Sequence, residues 1–356
     1  VLGLEQFNLC HNMGSSHGET RIFRVAYHED PAYVEMLKRA HKLWLDLEQR
    51  TGEKLLTLTG CLSIGFPDSQ VFNGCVKSAE LYRLKHEILD AEQVMTRFPA
   101  FKIREDMMAV YQFDAGFLRP ELCVNAYVKE ALQAGAEIHA REKVESWSAV
   151  GDKVEVVTDR STYKARKLVV SAGAWTTKIL GEVGTPLKVE RQVVGWFRSE
   201  NPEAFQMGRL PVWILSEDRG DKSVGYGFPI SGLPGFKLGV MHHRREVVDP
   251  DDFERRPKSA DEGFLRGFIE RNFGLTKTAT LALETCLFTN TSDGHFVLDF
   301  HPSHPQVLVV SCCSGHGFKF CSVIGETVAQ LFCDGASRHN IQLFSLKRKR
   351  EKLLFT

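Results

Sequence analysis

Two places in the chain combine residue types and spacing that could do chemistry. The opening Val1-Leu-Gly-Leu-Glu5 reads as a short buried strand ending in an acid. In a dinucleotide-binding βαβ unit, an acid at the end of the second strand binds the adenosine ribose hydroxyls. It follows by about 20 residues a glycine-rich turn whose backbone approaches the pyrophosphate. No GxGxxG occurs in the sequence, so this reading expects strand, turn and helix, roughly 30 residues, ahead of Val1. Taken alone, Glu5 is more simply a surface acid beside a strand. The second place is Ser311-Cys-Cys-Ser-Gly-His-Gly-Phe-Lys-Phe320, where an apolar strand passes through a Gly-His-Gly loop into a helical stretch. Such a turn can aim backbone N–H groups at a ligand. A helix N-terminus carries about half a positive charge, suited to phosphate or to the negative pyrimidine edge of a reduced flavin. Alone, the GxG is a tight strand-to-helix turn. Lys319 sits in that first turn, where a cation is unfavourable unless an anion is near. His242, His243, His301 and His304 lack the spacing of a metal motif, and no metal is expected.

The elements that must position these groups follow from the hydrophobic period. Residues 31–50 carry apolar positions three and four apart and predict an amphipathic helix. Cys61–Phe66 reads as a strand, followed by a second helical stretch around Val76–Leu89. Glu121–Ala134 has helical spacing and leads into Glu137-Ile-His-Ala140, as a helix returning to a parallel strand. The pattern then turns to strands at Val144–Val150, Lys153–Thr158 and Lys167–Ser171, and Ala172-Gly-Ala-Trp175 turns the last of these into a helix. Alternating segments between 188 and 245, such as Val193–Phe197 and Phe236–Val240, predict a mainly antiparallel sheet. Ser259–Phe273 is helical, Val307–Ser311 is a buried strand, and Phe318–Phe332 is helical again. β/α units at both ends with a strand-rich insertion between them predict two interleaved domains.

Bulk composition excludes several function classes. With 356 residues, 43% hydrophobic and 25% charged, the chain has ordinary globular composition and length for one large or two ordinary cores. Lys+Arg and Asp+Glu are equal at 45 each, so no bulk field points to nucleic acid or anionic lipid. The basic run Lys347–Arg350 reads as a solvated tail. No apolar stretch approaches the roughly 20 residues that span a bilayer. Nine scattered cysteines without CxxC spacing point to a reduced, intracellular protein. No signal peptide is visible in a chain that opens on Val1.

Four motifs carry a resemblance. Gly14-Ser-Ser-His-Gly-Glu-Thr-Arg21, Tyr226-Gly-Phe-Pro229, Cys286-Leu-Phe-Thr289 and Ser314-Gly-His-Gly-Phe-Lys-Phe320 resemble the family of monomeric and peroxisomal sarcosine oxidases, which includes L-pipecolate oxidase. They occur in that family's order at closely similar separations, over essentially the whole chain. The resemblance implies an α/β fold: a Rossmann-like FAD-binding domain, here without its first strand, Gly-rich turn and helix, interleaved with a mainly antiparallel-sheet substrate domain. The expected FAD-binding segments are residues 1–50, 132–190 and 280–346, and the substrate segments are 51–131 and 191–279.

The same resemblance implies roles for single residues. Glu5 resembles the ribose-binding acid; His17, Thr20 and Arg21 match the stretch along the flavin face. Val144, Gly173, Trp175, Gly315 and Gly317 fall among its cofactor-binding positions. Cys286, otherwise a small buried hydrophobe, matches the cysteine joined to FAD through a thioether. Arg24 and Lys319 match the basic pair that holds a substrate carboxylate, Arg as a bidentate fork and Lys as a point charge. Without the family, Arg24 is an exposed charge and Lys319 a solvated one. Lys237 matches the lysine that promotes reaction with oxygen, though among strand residues it could face outward; Tyr226 falls at a substrate-side position. The substrate-side histidine is displaced by one residue: His242 is the expected match, while Met241 occupies the ungapped position. Cys312-Cys313 replaces the family's glycine- and aromatic-containing segment.

The expected function is therefore FAD-linked oxidation of a secondary amino acid, such as sarcosine or L-pipecolate, to an imine, with oxygen reduced to hydrogen peroxide. The alternative is a truncated homologue that has lost FAD and serves only as a binding protein. Expected partners are a small amino acid and oxygen, with no nucleic acid and no membrane, on a monomer. The expected location is peroxisomal or cytoplasmic, although no Ser-Lys-Leu-type C-terminus is present.

Overall fold

The computed structural model describes residues 1–181 and 185–348. Its largest element is an eight-stranded sheet, in the order Thr278–Asn290, Lys188–Ser199, Phe236–Val240, Val224–Phe228, Val212–Ser216, Cys61–Gly65, Met108–Gln112 and His86–Asp90. Every neighbouring pair is antiparallel except Val212–Ser216 beside Cys61–Gly65. Side chains alternate across a strand, and here both sets are used. Leu62, Ile64, Trp213, Leu215, Phe236 and Leu238 pack on one face with Phe268, Ile269 and Phe273 of the helix Ser259–Phe273. Burying each such side chain contributes about 1.5–3 kcal/mol. The residues between them, including Ser63, Ile214, Tyr226, Gly239 and Val194, form a row across the other face.

The remaining sheets are small. Leu2–Glu5 pairs in parallel with Glu137–Ala140, the strand that follows helix Pro120–Gln133. Leu168–Val170 runs parallel to His304–Ser311, whose other neighbour is Val297–His301. Thr162–Ala165, Lys153–Thr158 and Val144–Val150 form a meander, and Arg21–Phe23, Gly116–Leu118 and Leu56–Leu58 form a fourth small sheet. Helix Val34–Thr51 buries Val34, Leu37, Ala40, Trp44 and Leu47 on one stripe. Asp30 caps the turn before it by accepting from Ala32 N at 2.7 Å, and Gly52 ends it at φ 72°. Its stripe packs on helix Cys321–Cys333, and Trp44 Nε1 donates to the Lys319 carbonyl at 2.9 Å. A core helix thus fixes the turn that carries Lys319.

Three sequence expectations need correction. The opening strand forms, but it is half-buried, with Glu137–Ala140 on one edge. The helix expected around Val76–Leu89 is Gln70–Leu81, and His86–Asp90 is instead the outermost strand of the large sheet. Arg83 takes φ 50° and breaks the helix, while the apolar spacing runs on through the break. Thr162–Ala165 forms a further strand that the apolar pattern does not mark. Arg348 is no solvated tail: it is nearly buried and forks onto Asp293 at 2.7 and 2.8 Å. Lys349 and Arg350 of that run lie outside the described residues. Strand Thr278–Asn290 pairs with Lys188–Ser199 along its length and crosses the expected 279/280 boundary. We retain the interleaved division as a proposal. No helix among the described residues is long and apolar enough to cross a membrane.

Candidate active site

One cavity of about 1190 Å³ is lined from the Leu2–Glu5 strand, past Gly173–Trp175 and Cys286, to Gly315–Lys319 and the inner face of the large sheet. At one end Glu5 accepts from Phe7 N at 2.8 Å and lies 3.5 Å from His11 Nε2. Burial would raise its pKa, but the bonds from His11 and Phe7 outweigh that and leave it lowered, hence ionised. Val144 lines the wall at the start of its strand, and Gly173 and Trp175 follow the Leu168–Val170 strand. Trp175 is tethered through Nε1 to Asp251 at 2.6 Å.

The opposite end is built on the Gly-His-Gly turn. A Cβ at Gly317 would stand 1.7 Å from the Cys312 carbonyl oxygen, so only glycine lets the two chain segments pass. Gly315 and Gly317 both line the cavity, at the turn that precedes helix Cys321–Cys333. Arg24, Lys319 and Tyr27 meet beside this turn. The Arg24 guanidinium stacks 4.1 Å over the Tyr27 ring, while Lys319 Nζ donates to Tyr27 Oη at 3.3 Å and to the His316 carbonyl at 2.7 Å. Tyr27 Oη and His316 Nδ1 lie 2.6 Å apart, and His316 Nε2 is 3.0 Å from the Gly294 carbonyl. The carbonyl must accept, so Nε2 carries the proton and Nδ1 accepts from Tyr27. Burial, then Arg24, pushes Lys319 down to about 7. Burial, reinforced by the charges of Arg24 and Lys319 and opposed by Glu29, pushes His316 down to about 4 and His28 to about 3, so both rings are neutral.

Neither cation is solvated, and Arg24 already has an anion. Its Nη2 lies 2.6 Å from both oxygens of Glu29, and both residues line the cavity. Burial would strip charge from each, but their mutual attraction wins: Arg24 is held protonated and Glu29 well below the usual carboxylate range. Glu29 pairs with Arg24 and its charge also reaches Lys319, so an incoming carboxylate must compete with it.

On the sheet face, Tyr226 lines the cavity and Cys286 is a buried thiol in the strand Thr278–Asn290 whose pKa burial raises. His17 Nδ1 lies 3.4 Å from Glu284 and ties the 14–21 segment to the strand Thr278–Asn290, while Arg21 donates to the Ser15 carbonyl at 2.6 Å within that segment; His17 and Arg21 both line the cavity. Thr20 and Lys237 are not in the cavity wall. Lys237 points toward it but lies behind that segment, where Nζ donates to the Gly18 carbonyl and to Thr20 Oγ1 at 3.2 Å. Burial, then Arg21, pushes it down to about 7. His242 is a correction. Lys237, Gly239 and Met241 alternate onto one face, so Met241 lines the cavity. The next residue turns left-handed at φ 54° and meets Glu190 at 2.7 Å on the neighbouring strand. Among the described residues no three His, Cys, Asp or Glu side chains could hold a metal.

The family model described as FAD dependent oxidoreductase matches residues 1–331. The monomeric sarcosine oxidase of Streptomyces avermitilis is 39% identical over 351 residues, covering 98% of this chain and 91% of that one. The N-methyl-L-tryptophan oxidase of Yersinia pestis (strain Pestoides F) is 34% identical over 357 residues, covering 98% and 93%. The chain belongs to the FAD-dependent oxidoreductases of the sarcosine oxidase family. Its fold is also that of NikD, an amino acid oxidase of nikkomycin biosynthesis, whose open form superposes with a TM-score of 0.81 at 22% identity over 97% of this chain and 90% of that one.

The cavity fits the cofactor of this family. An ionised acid at a strand end, glycine backbone at a helix start and basic side chains along the wall suit a ligand with ribose hydroxyls, phosphates and a polar ring. Sequence reasoning missed Tyr27, His28 and Glu29. They follow Arg24 in an irregular stretch with no period to read; only the fold turns His28 and Glu29 into the cavity and seats the buried Tyr27 against Arg24 and Lys319.

Proposed function

We propose that this flavoenzyme oxidises a secondary amino acid at the carbon beside its nitrogen and passes the electrons to oxygen, forming hydrogen peroxide. What supports the reading is the single cavity that joins the Glu5 end to the Arg24–Lys319 end, in a chain whose sequence relatives are a monomeric sarcosine oxidase and an N-methyl-L-tryptophan oxidase. FAD, when bound, supplies the hydride acceptor; Glu5 would hold its ribose, the Gly315–Gly317 turn its ring end, and Cys286 would carry it covalently. The chain's own task is to bind and orient the amine. Arg24 and Lys319 would hold the carboxylate, with Arg24 released from Glu29. Tyr226 would pack against the substrate from the sheet. We assign Lys237 a positioning role, since its three bonds to Gly18 and Thr20 fix the segment that includes Arg21. No observation favours a chain that has lost FAD.

The test is oxygen uptake and peroxide formation by the FAD-loaded protein with N-alkyl amino acids, their primary counterparts and their decarboxylated amines. Rapid turnover of the N-alkyl amino acids alone is expected. Equal use of the decarboxylated amines would overturn the carboxylate assignment. Covalent attachment is read separately: acid-precipitated protein stays yellow, and Cys286→Ser releases the flavin.

A further inference from the structure

We propose that His316 is a positioning residue for Lys319: it accepts the Tyr27 hydroxyl proton, so the phenol oxygen faces Lys319 as an acceptor, and the ammonium stays charged with one N–H left for the cavity. The inference rests on the reading that Lys319 holds a substrate carboxylate, and it gives the histidine of the Gly-His-Gly turn a task of its own.

The direction of the chain of bonds is fixed at its far end. His316 Nε2 stands 3.0 Å from the Gly294 carbonyl, which can only accept. Gly294 lies in the turn between strands Thr278–Asn290 and Val297–His301, next to Asp293, which Arg348 holds with two bonds. The other tautomer would set a nitrogen lone pair against the lone pairs of that carbonyl. The ring is stacked 4.7 Å from Phe296 and meets Tyr27 and Tyr33 edge-on, and in that setting it is neutral. Nδ1 therefore offers only a lone pair, and Tyr27 Oη, 2.6 Å away, must donate to it. A phenol has one proton. With that proton on His316, Tyr27 can meet Lys319 Nζ, at 3.3 Å, only as an acceptor. Lys319 also donates to the His316 carbonyl at 2.7 Å, so residue 316 supplies one acceptor and directs the other. Two of the three ammonium protons are taken, and Lys319 lines the cavity with the third.

Acceptors favour an ammonium over a neutral amine, and here the balance is close. Burial, then Arg24, pushes Lys319 down to about 7. The other titratable groups facing it are Glu29 and His28 on the stretch after Arg24, Cys61 on its strand and Cys321 on the next helix. Glu29 supports the charge, His28 is neutral, and burial pushes both thiols up to about 12. Were Tyr27 free to turn, its hydroxyl would donate to an uncharged Lys319 instead. The charge that meets the carboxylate would then be lost at a lower pH.

The experiment follows Lys319 directly. In FAD-loaded protein with carbon-13-labelled lysine, its Cε resonance, assigned by its loss in Lys319→Met, gives the titration midpoint without any ligand. Tyr27→Phe keeps the ring under Arg24, and His316→Phe keeps a ring on Phe296. Each is expected to lower the midpoint by about one pH unit. The double variant falls no further than Tyr27→Phe alone, because His316 acts through the hydroxyl. Methoxyacetate, an ether with no amine to titrate or oxidise, should bind either single variant about tenfold more weakly at about pH 8 and almost unchanged at about pH 5.5. A midpoint that His316→Phe leaves in place, or lowers equally when Tyr27 is already Phe, overturns the proposal. If His316→Phe does not fold, the nitrogen-15 resonances of the wild-type ring decide. A proton on Nε2 with a bare Nδ1 is expected, and a proton on Nδ1 at neutral pH overturns the proposal. A midpoint that moves while methoxyacetate affinity ignores pH sinks the carboxylate reading and leaves this assignment standing.

Discussion

Two arginine–carboxylate pairs are buried in this molecule, and they differ in what surrounds the acid. Arg191 and Asp261 are 1% and 0% exposed; Asp261 accepts from Arg191 at 2.9 and 3.1 Å, from Lys258 N at 2.7 Å and from His243 Nε2 at 3.0 Å. Every lone pair is taken, and the pair ties the strand Lys188–Ser199 to the start of helix Ser259–Phe273. Arg24 is as deeply buried, but Glu29 is 17% exposed and lines the cavity. Its close partners are Arg24 and, at 3.6 Å, His28. Burial alone does not separate a structural ion pair from a functional one. The fraction of the acid's bonds that a ligand could replace does.

The largest effect should come from breaking the closed pair. Asp261→Ala leaves Arg191 charged and buried with only the half-exposed Glu246, at 3.5 Å, as counter-ion, and is expected to cost about 3–5 kcal/mol of folding stability. Urea unfolding measures it; a loss below 1 kcal/mol would mean that the closed pair is no more structural than the open one. Next comes Lys319→Met at the open site. A charged hydrogen bond is worth about 1.5–3 kcal/mol, so kcat/KM for an N-alkyl amino acid should fall roughly 10- to 150-fold with FAD still bound. An equal fall on the decarboxylated amine would instead place Lys319 in support of the fold or the flavin.

Glu29→Gln sharpens the contrast with a change of opposite sign. Removing the internal competitor should tighten carboxylate binding by about three- to tenfold, while the melting temperature without ligand falls because Arg24 has lost its partner. Weaker binding would show that Glu29 aims Arg24 and does not compete for it. The smallest effect is one of pH. The substrate must be a free amine, so kcat/KM rises as its ammonium deprotonates, while Lys319, pushed down to about 7, loses its charge over the same range. The rise should be about tenfold per unit below pH 7 and should flatten above it. Lys319→Arg keeps the charge and should restore the rise; a profile identical in both proteins rules out titration of Lys319 as the cause.

The folded pKa of Lys319 and Lys237 also lies below that of the unfolded chain. Between the two values the unfolded state binds more protons, so these lysines cost stability below about pH 7 and the cost lessens as pH rises.

Much of the architecture could be read from period alone. The helices at 31–50, 121–134 and 259–273, the returning strand 137–140 and the antiparallel character of 188–245 all follow from local spacing, because a helix or strand must bury one stripe or one face. Membership of the sarcosine oxidase family was carried by four motifs whose residue types are fixed by local demands, such as the close backbone approach at Gly317. The sequence could not say which anion Arg24 meets, that Lys237 lies behind Gly18–Thr20, or that Met241 and not His242 enters the cavity. Those facts belong to the packing of segments distant along the chain. One left-handed residue or one loop laid over a strand redirects a side chain without altering any local pattern, and only the tertiary structure decides where it lands.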